Sequence, residues 1–312
     1  MTVYELAARY SKYPTVKTVI GTPLMRVNEF LWGMLPAVVK RVGPFAPYGR
    51  YIGRLVKKSA HREQNTSTTF LRNRPEFEMV KTIARRRPFN STLRIMVLGC
   101  SRGAEVYSAS WAVQSVRPDL QLEVIGMDIS HGALSVARSG DYPDTNGGMV
   151  ARLTKAEIES MFDYRDGCYS VKAALRRGVQ WAQANILSDD LDPYLRSADV
   201  VIANRFLCHM DESTASRGFT RVLRLVKPDA YVMVSGIDED VRERVAREFK
   251  LTPVMERLED VYYGDPSLVA GWPFRYWGLE PIDKKHPHWT VRYAPVFKVS
   301  AEAAERLAYA TH

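Results

Sequence analysis

Beyond residue 90 the chain alternates between short apolar runs and stretches of helical spacing. Runs at 94–98, 123–127, 179–183, 200–204 and 230–235 have the length and composition of buried strands rather than helices. Helical patterns follow the first, second and fourth of them. Ser130 stands where an N-cap would open a helix at 132–138. Lys227-Pro228-Asp229 reads as the stop of the helix before the fifth run. This alternation predicts an α/β fold: a doubly wound parallel sheet with helices on both faces.

Residues 1–90 have a different texture. They read as mainly helical, broken at Gly21-Thr-Pro23, Pro36 and Gly43-Pro-Phe-Ala-Pro47. Residues 85–90 look like a linker. Two domains are therefore expected, a small helical one over 1–90 and an α/β one over 91–312. Two segments interrupt the alternation of the second. One, between 140 and 177, carries a helical pattern at 154–162 that opens on a capping box, Thr154 with Glu157. The other, near 254–290, is rich in aromatic residues, among them Trp272, Tyr276, Trp277 and Trp289. A strand-like run at 291–299 follows.

Composition fits a soluble globular protein: 46% hydrophobic and 25% charged residues over 312 positions. Cys100, Cys168 and Cys208 are odd in number and widely spaced. They indicate neither a disulfide framework nor a zinc site, and no metal is expected. No segment reaches the roughly 20 apolar residues of a membrane span. The N-terminus lacks the layout of a signal peptide, so a cytoplasmic protein is expected. The net charge of +9 is unevenly placed, because residues 1–90 hold 17 basic against 5 acidic side chains. Arg50, Arg54, Lys57, Lys58 and Arg62 recur at helical spacing. Their row is either a solvated face or a surface for an acidic protein or the anionic inner face of a membrane. No nucleic-acid motif accompanies it.

Candidate chemistry begins at the end of the first run, with the turn Gly99-Cys-Ser101-Arg-Gly103-Ala-Glu105 leading into a helix. The second run ends on Asp128, an acid placed to take two ribose hydroxyls. Any α/β protein can contain such a strand-turn-helix, but together with Asp128 it outlines a nucleotide-type cleft. A dinucleotide site expects a third glycine and bare amides for pyrophosphate. Glu105 would repel that group and suits the cationic amino end of S-adenosylmethionine.

Several motifs agree with a known family. Thr66-Ser-Thr68-Thr-Phe-Leu-Arg72 resembles the Asn-x-Thr-x-Phe-Phe-Arg signature of chemotaxis receptor methyltransferases, the CheR type. Gly99-Cys-Ser-Arg-Gly-Ala-Glu-Val-Tyr-Ser108 resembles its Gly-Cys-Ser-x-Gly-Glu-Glu-x-Tyr-Ser. Asp128-Ile-Ser, Ala137-Arg-Ser-Gly-Asp-Tyr142 and the stretch from Val179 through Asn185 to Leu187 are similar to further family motifs in the same order. The resemblance implies a Rossmann-like methyltransferase sheet preceded by a small helical domain, with S-adenosylmethionine as donor and S-adenosylhomocysteine as product. It implies that Thr66 and Thr68 lie near the donor's amino-acid end and Arg72 near the transferring methyl. Gly99, Ser101 and Gly103 would bind the cofactor through the turn, Glu105 would face the amino group, Asp128 the ribose, and Asn185 with Ile186 the adenine. Bland alternatives remain: Thr68 as cap of a helix from 69 to 80, and Asn185 as the start of a turn.

Departures cluster after the fourth run. The family's Arg-Asn-Val-Leu-Ile-Tyr-Phe is here Asn204-Arg-Phe-Leu-Cys-His209-Met. The order of the first pair is swapped and His209 replaces a tyrosine. Ala104 removes one of the two acids of the turn. Arg72 and His209 are the candidate catalytic residues, and Asn204 joins the cofactor set. A hydroxyl acceptor would need a base such as His209, whereas a carboxylate needs none. The expected activity is O-methylation of a non-receptor acceptor: a sugar, lipid or small-molecule hydroxyl or carboxylate; the aromatic insert is either a stacking surface for it or, more commonly, core packing. Methylation of a receptor glutamate, and a non-catalytic donor-binding sensor, are the alternatives.

Overall fold

The computed structural model describes residues 21–36, 39–41, 44–63, 67–145 and 148–309. Its contacts divide the chain into two compact units, one of residues 1–63 with 266–283, the other of 64–265 with 284–312. This division differs from the boundary expected at residue 90. The helix α3 (Arg74–Arg85) packs against the sheet domain, burying Phe77, Met79, Val80 and Ile83 in its core. Part of the aromatic segment belongs to the first unit instead.

The first unit contains α1 (Gly21–Met34) and α2 (Phe45–Ser59). Trp32, Ile52, Val56 and Phe274 form its apolar centre. Trp272 packs edge-on against Trp32 at 5.4 Å and lies over Gly49, where a Cβ would come within 2.2 Å of the indole. Of the basic row, Arg62 lies beyond the end of α2, stacked over Tyr276 at 5.6 Å, and Arg50 pairs with Asp283 at 3.1 Å.

In the second unit the strands are β1 (Thr92–Leu98), β2 (Gln121–Asp128), β3 (Asp141–Pro143), β4 (Phe162–Arg165), β5 (Cys168–Val171), β6 (Val179–Gln183), β7 (Ala198–Ala203), β8 (Val226–Met233), β9 (Thr252–Pro253) and β10 (Val296–Val299). Seven of them form one sheet in the order β6-β2-β1-β7-β8-β10-β9. The pairs from β6 to β8 are parallel, and β10 is antiparallel to both neighbours. All six residues of β7 are buried, as a central parallel strand covered on both faces requires. Chain order reverses at β1, with β2 on one side and β7 on the other. Such a switch point leaves a crevice at the carboxyl ends of the strands. The doubly wound α/β class expected from the alternation is therefore observed. β3, β5 and β4 form a separate small antiparallel sheet.

The further helices of the second unit are α4 (Ala104–Gln114), α5 (His131–Ser139), α6 (Lys155–Met161), α7 (Ala173–Arg176), α8 (Glu212–Leu225), α9 (Glu239–Glu248), α10 (Leu258–Tyr262), α12 (Trp289–Tyr293) and α13 (Ala301–Tyr309), while α11 (Pro266–Gly271) belongs to the first unit. The Ser130 hydroxyl accepts from the Ala133 N–H, and Thr154 with Glu157 completes the capping box of α6. Three local expectations change. Lys227-Pro-Asp229 does not end a helix but lies inside β8, because Val226 already pairs with Ala198. The register then shifts, Asp229 adopts φ +61°, and Pro228, which cannot donate, occupies the bulge. The run 291–299 is not one strand: residues up to Tyr293 complete α12, and pairing with β8 begins after Pro295. α3 starts at Arg74, with Asn73 rather than Thr68 as its cap.

Candidate functional site

The turn after β1 is shaped by positive φ at Gly99 (+63°), Ser101 (+50°) and Gly103 (+85°). A side chain at Gly103 would meet the Trp181 ring at 2.8 Å and the Ala137 Cβ at 3.0 Å. Both the backbone conformation and the space thus call for glycine. Asp128, at the end of β2, accepts the Ser101 N–H at 2.7 Å and the Ser130 N–H at 2.8 Å on its two oxygens. One carboxylate therefore fixes the β1 turn and the start of α5 together. Each of its oxygens retains a lone pair for a ligand hydroxyl.

Residues 67–72 are tied to the start of α4. The Leu71 N–H donates to the Ser108 hydroxyl at 3.1 Å, which donates to the Ala104 carbonyl at 2.7 Å. Phe70 is fully buried against Tyr142 and Phe162. Tyr142 in turn donates to the Arg102 carbonyl at 2.8 Å. Aromatic and hydroxyl residues of the sequence motifs thus serve as anchors, and Arg72 is carried to the cleft by them.

The cleft encloses about 550 Å³ of solvent-open space at the carboxyl ends of β1 and β7. Thr68, Arg72, Gly99, Ser101, Glu105 and Asn204 line it together. The remaining lining residues were missed by sequence reasoning, Asn73, Glu76, Arg205 and Ser235 among them. Gly103 and Asp128 shape the turn without lining the cleft. Asn185 is exposed and accepts the Leu187 N–H at 3.0 Å, the turn geometry that was the bland reading, while Ile186 is buried. His209 ends a short 3₁₀ turn (Leu207–His209) and is absent from the lining. Thr66 lies outside the described residues.

Asn204 organises the far wall. Its amide nitrogen donates to Glu105 at 2.6 Å and to Glu76 at 2.9 Å, and its oxygen accepts from the Ser235 N–H at 3.0 Å and hydroxyl at 2.8 Å. A backbone N–H can only donate, so Ser235 fixes which end of the amide faces the carboxyls. Burial, reinforced by the Glu105 charge, pushes the Glu76 carboxyl up to about 8. Burial raises Glu105 as well, against the Asn204 hydrogen bond and the Arg72 and Arg205 charges. Burial and the Arg72 charge bring Arg205 down to about 9. Arg205 is ion-paired to buried Asp265, which also faces Arg152 at 3.5 Å. Arg72 donates to the Ser67 carbonyl at 2.6 Å and is itself lowered by burial.

Two acids, two guanidiniums and a tight backbone turn suit a zwitterionic amino acid joined to a nucleoside. The buried Thr69 hydroxyl, without a hydrogen-bond partner among the described residues, adds a polar group left for a ligand.

Residues 66–257 match the family model described as CheR methyltransferase, SAM binding domain. A chemotaxis protein methyltransferase of Borreliella burgdorferi is 26% identical over 158 residues, 49% of this chain and 54% of that protein. Chemotaxis protein methyltransferase 2 of Pseudomonas aeruginosa is 28% identical over 202 residues, 61% of this chain and 70% of that protein. The chain thus spans about half the length of the first of these relatives. Among solved structures, the trans-methyltransferase CalH in complex with SAH aligns at TM-score 0.34 and 13% identity, over 79% of this chain and 51% of that one. The family match covers well over half of the 312 residues and contains the whole lining of the cleft. The chain belongs to the CheR methyltransferase family, and residues 66–257 are its S-adenosylmethionine-binding domain.

Proposed function

We propose that this chain is an S-adenosylmethionine-dependent methyltransferase that esterifies a carboxylate on a small molecule, sugar or lipid. The observation that carries the acceptor class is the cleft lining itself, which includes the guanidinium of Arg72 but not the imidazole of His209. Guanidinium groups orient carboxylates by paired hydrogen bonds. A carboxylate is ionised at neutral pH and needs no base, so a cleft without His209 suits it better than a hydroxyl.

When bound, the cofactor supplies a methyl group on a cationic sulfur, which an oxygen lone pair displaces in line to leave a neutral thioether. The chain's own residues have to align the partners rather than move protons. Asp128 would hold the ribose hydroxyls, Ile186 with Asn185 the adenine edge, and Glu105 the amino group. Thr68 would lie at the amino-acid end. Arg72, held by the Ser67 carbonyl and by the anchored segment behind it, would orient the acceptor.

A second reading, methylation of a glutamate on a receptor helix, draws on the chemotaxis names of the relatives and on exposed Arg54 and Lys58 in the basic first unit. Labelled donor, incubated with the purified protein and extract, separates the readings. Mild base is expected to release labelled methanol from a small-molecule fraction. Base-labile label on protein would support the receptor reading, and base-stable label would overturn the carboxylate. Donor binding with no labelled acceptor would favour a sensor.

A further inference from the structure

Glu76 stands at the third position of α3, three residues after its cap Asn73. A glutamate there ordinarily turns back to the cap. This one points into the cleft instead, is 1% exposed, and shares the Asn204 amide with Glu105. Among the described residues neither carboxyl makes an ion pair, since Arg205 in the same wall is taken by Asp265. Two buried acids drawn together by one amide suit a compact cation. The turn itself supplies a single acid, because Ala104 precedes Glu105. Glu76 brings the second from another helix.

We propose that Glu76 is a cofactor-binding residue: with Glu105 it forms a two-carboxyl seat for the primary ammonium group of S-adenosylmethionine, and it releases a proton when that group arrives. The inference rests on the cofactor reading of the cleft. The charged and titratable groups lining the cleft with Glu76 are Glu105 from α4, Arg205 after β7, Arg72 before α3 and the Cys100 thiol. Burial and Glu105 hold Glu76 protonated at neutral pH, outweighing Asn204 and Arg205. An ammonium group reverses that balance by favouring the charged carboxylate. Cofactor affinity should therefore rise as pH increases from 6 to 8 and level off beyond, where the proton has already left.

Calorimetry of S-adenosylhomocysteine binding at pH 7, in two buffers of different protonation enthalpy, tests this. The wild type is expected to release about one proton, and Glu76→Gln almost none, with affinity lower by about tenfold or more. 5′-Methylthioadenosine, which lacks the amino-acid part, should bind both proteins alike without proton release, and so also reports that the variant is folded. Wild-type affinity and proton release in Glu76→Gln would overturn the inference, as would wild-type binding of S-adenosylhomocysteine with no proton released. A wild type that binds neither ligand would remove the cofactor reading itself, and the inference with it. Should the variant not fold, the wild-type proton count decides alone.

Discussion

On one wall of the cleft, Asp128 fixes the β1 turn through two backbone N–H groups; on the other, Asn204 gathers two buried carboxyls through its side chain. The first wall depends on main-chain geometry and glycine positions, so it tolerates few changes and is written in local sequence. The second depends on side chains from α3, α4 and the ends of β7 and β8. Its charges are buried at a cost to the empty protein, which a bound cation would offset. A rigid wall proposed for the nucleoside and a charged wall proposed for the amino end are different devices, and they should fail differently.

Asp128→Ala should break the first wall most severely. It leaves two N–H groups without an acceptor and removes the proposed ribose contact, so S-adenosylhomocysteine affinity should fall by about a hundredfold or more in calorimetry. Arg72→Lys should separate binding from chemistry. Loss of the planar fork is expected to lower kcat by about tenfold to a hundredfold while cofactor affinity changes by less than about threefold.

Glu76→Gln should weaken binding yet stabilise the empty protein. The folded-state value of about 8 lies above the ordinary carboxyl value, so the folded chain holds a proton that the unfolded chain has released. This contribution to stability is complete below about pH 4.3 and is lost as pH rises to 8. At pH 8.5 the variant's Tm, without ligand, should exceed the wild type's by about 2–4 °C in a thermal scan, and the gap should shrink toward pH 5. The smallest effect is expected from His209→Ala, with less than about a twofold change in kcat for a carboxylate acceptor. A large loss there would return a hydroxyl acceptor to contention.

Much of the sheet domain was legible in the sequence because its signals are local. The run 179–183 coincides with β6, Ser130 and Thr154 cap their helices, and the glycine turn lies where the strand order reverses. The far wall was less legible. Glu76 lies in no motif of the sequence, and only the fold brings it beside Asn204, 128 positions away. Arg205 meets Asp265 for the same reason. The aromatic segment divides between the two units: Trp272 and Phe274 fill the first, while Trp289 begins α12 in the second. Hydrophobic spacing alone could not place the break before Pro295 or the bulge at Asp229, because both follow from pairing with distant strands.

A crystal structure of the complex with S-adenosylhomocysteine tests the central claim most directly. The ribose hydroxyls are expected on Asp128, the amino group at the Glu76 and Glu105 carboxyls, and the sulfur turned toward Arg72. A nucleoside bound away from Asp128, or an amino group directed away from both acids, would contradict the account.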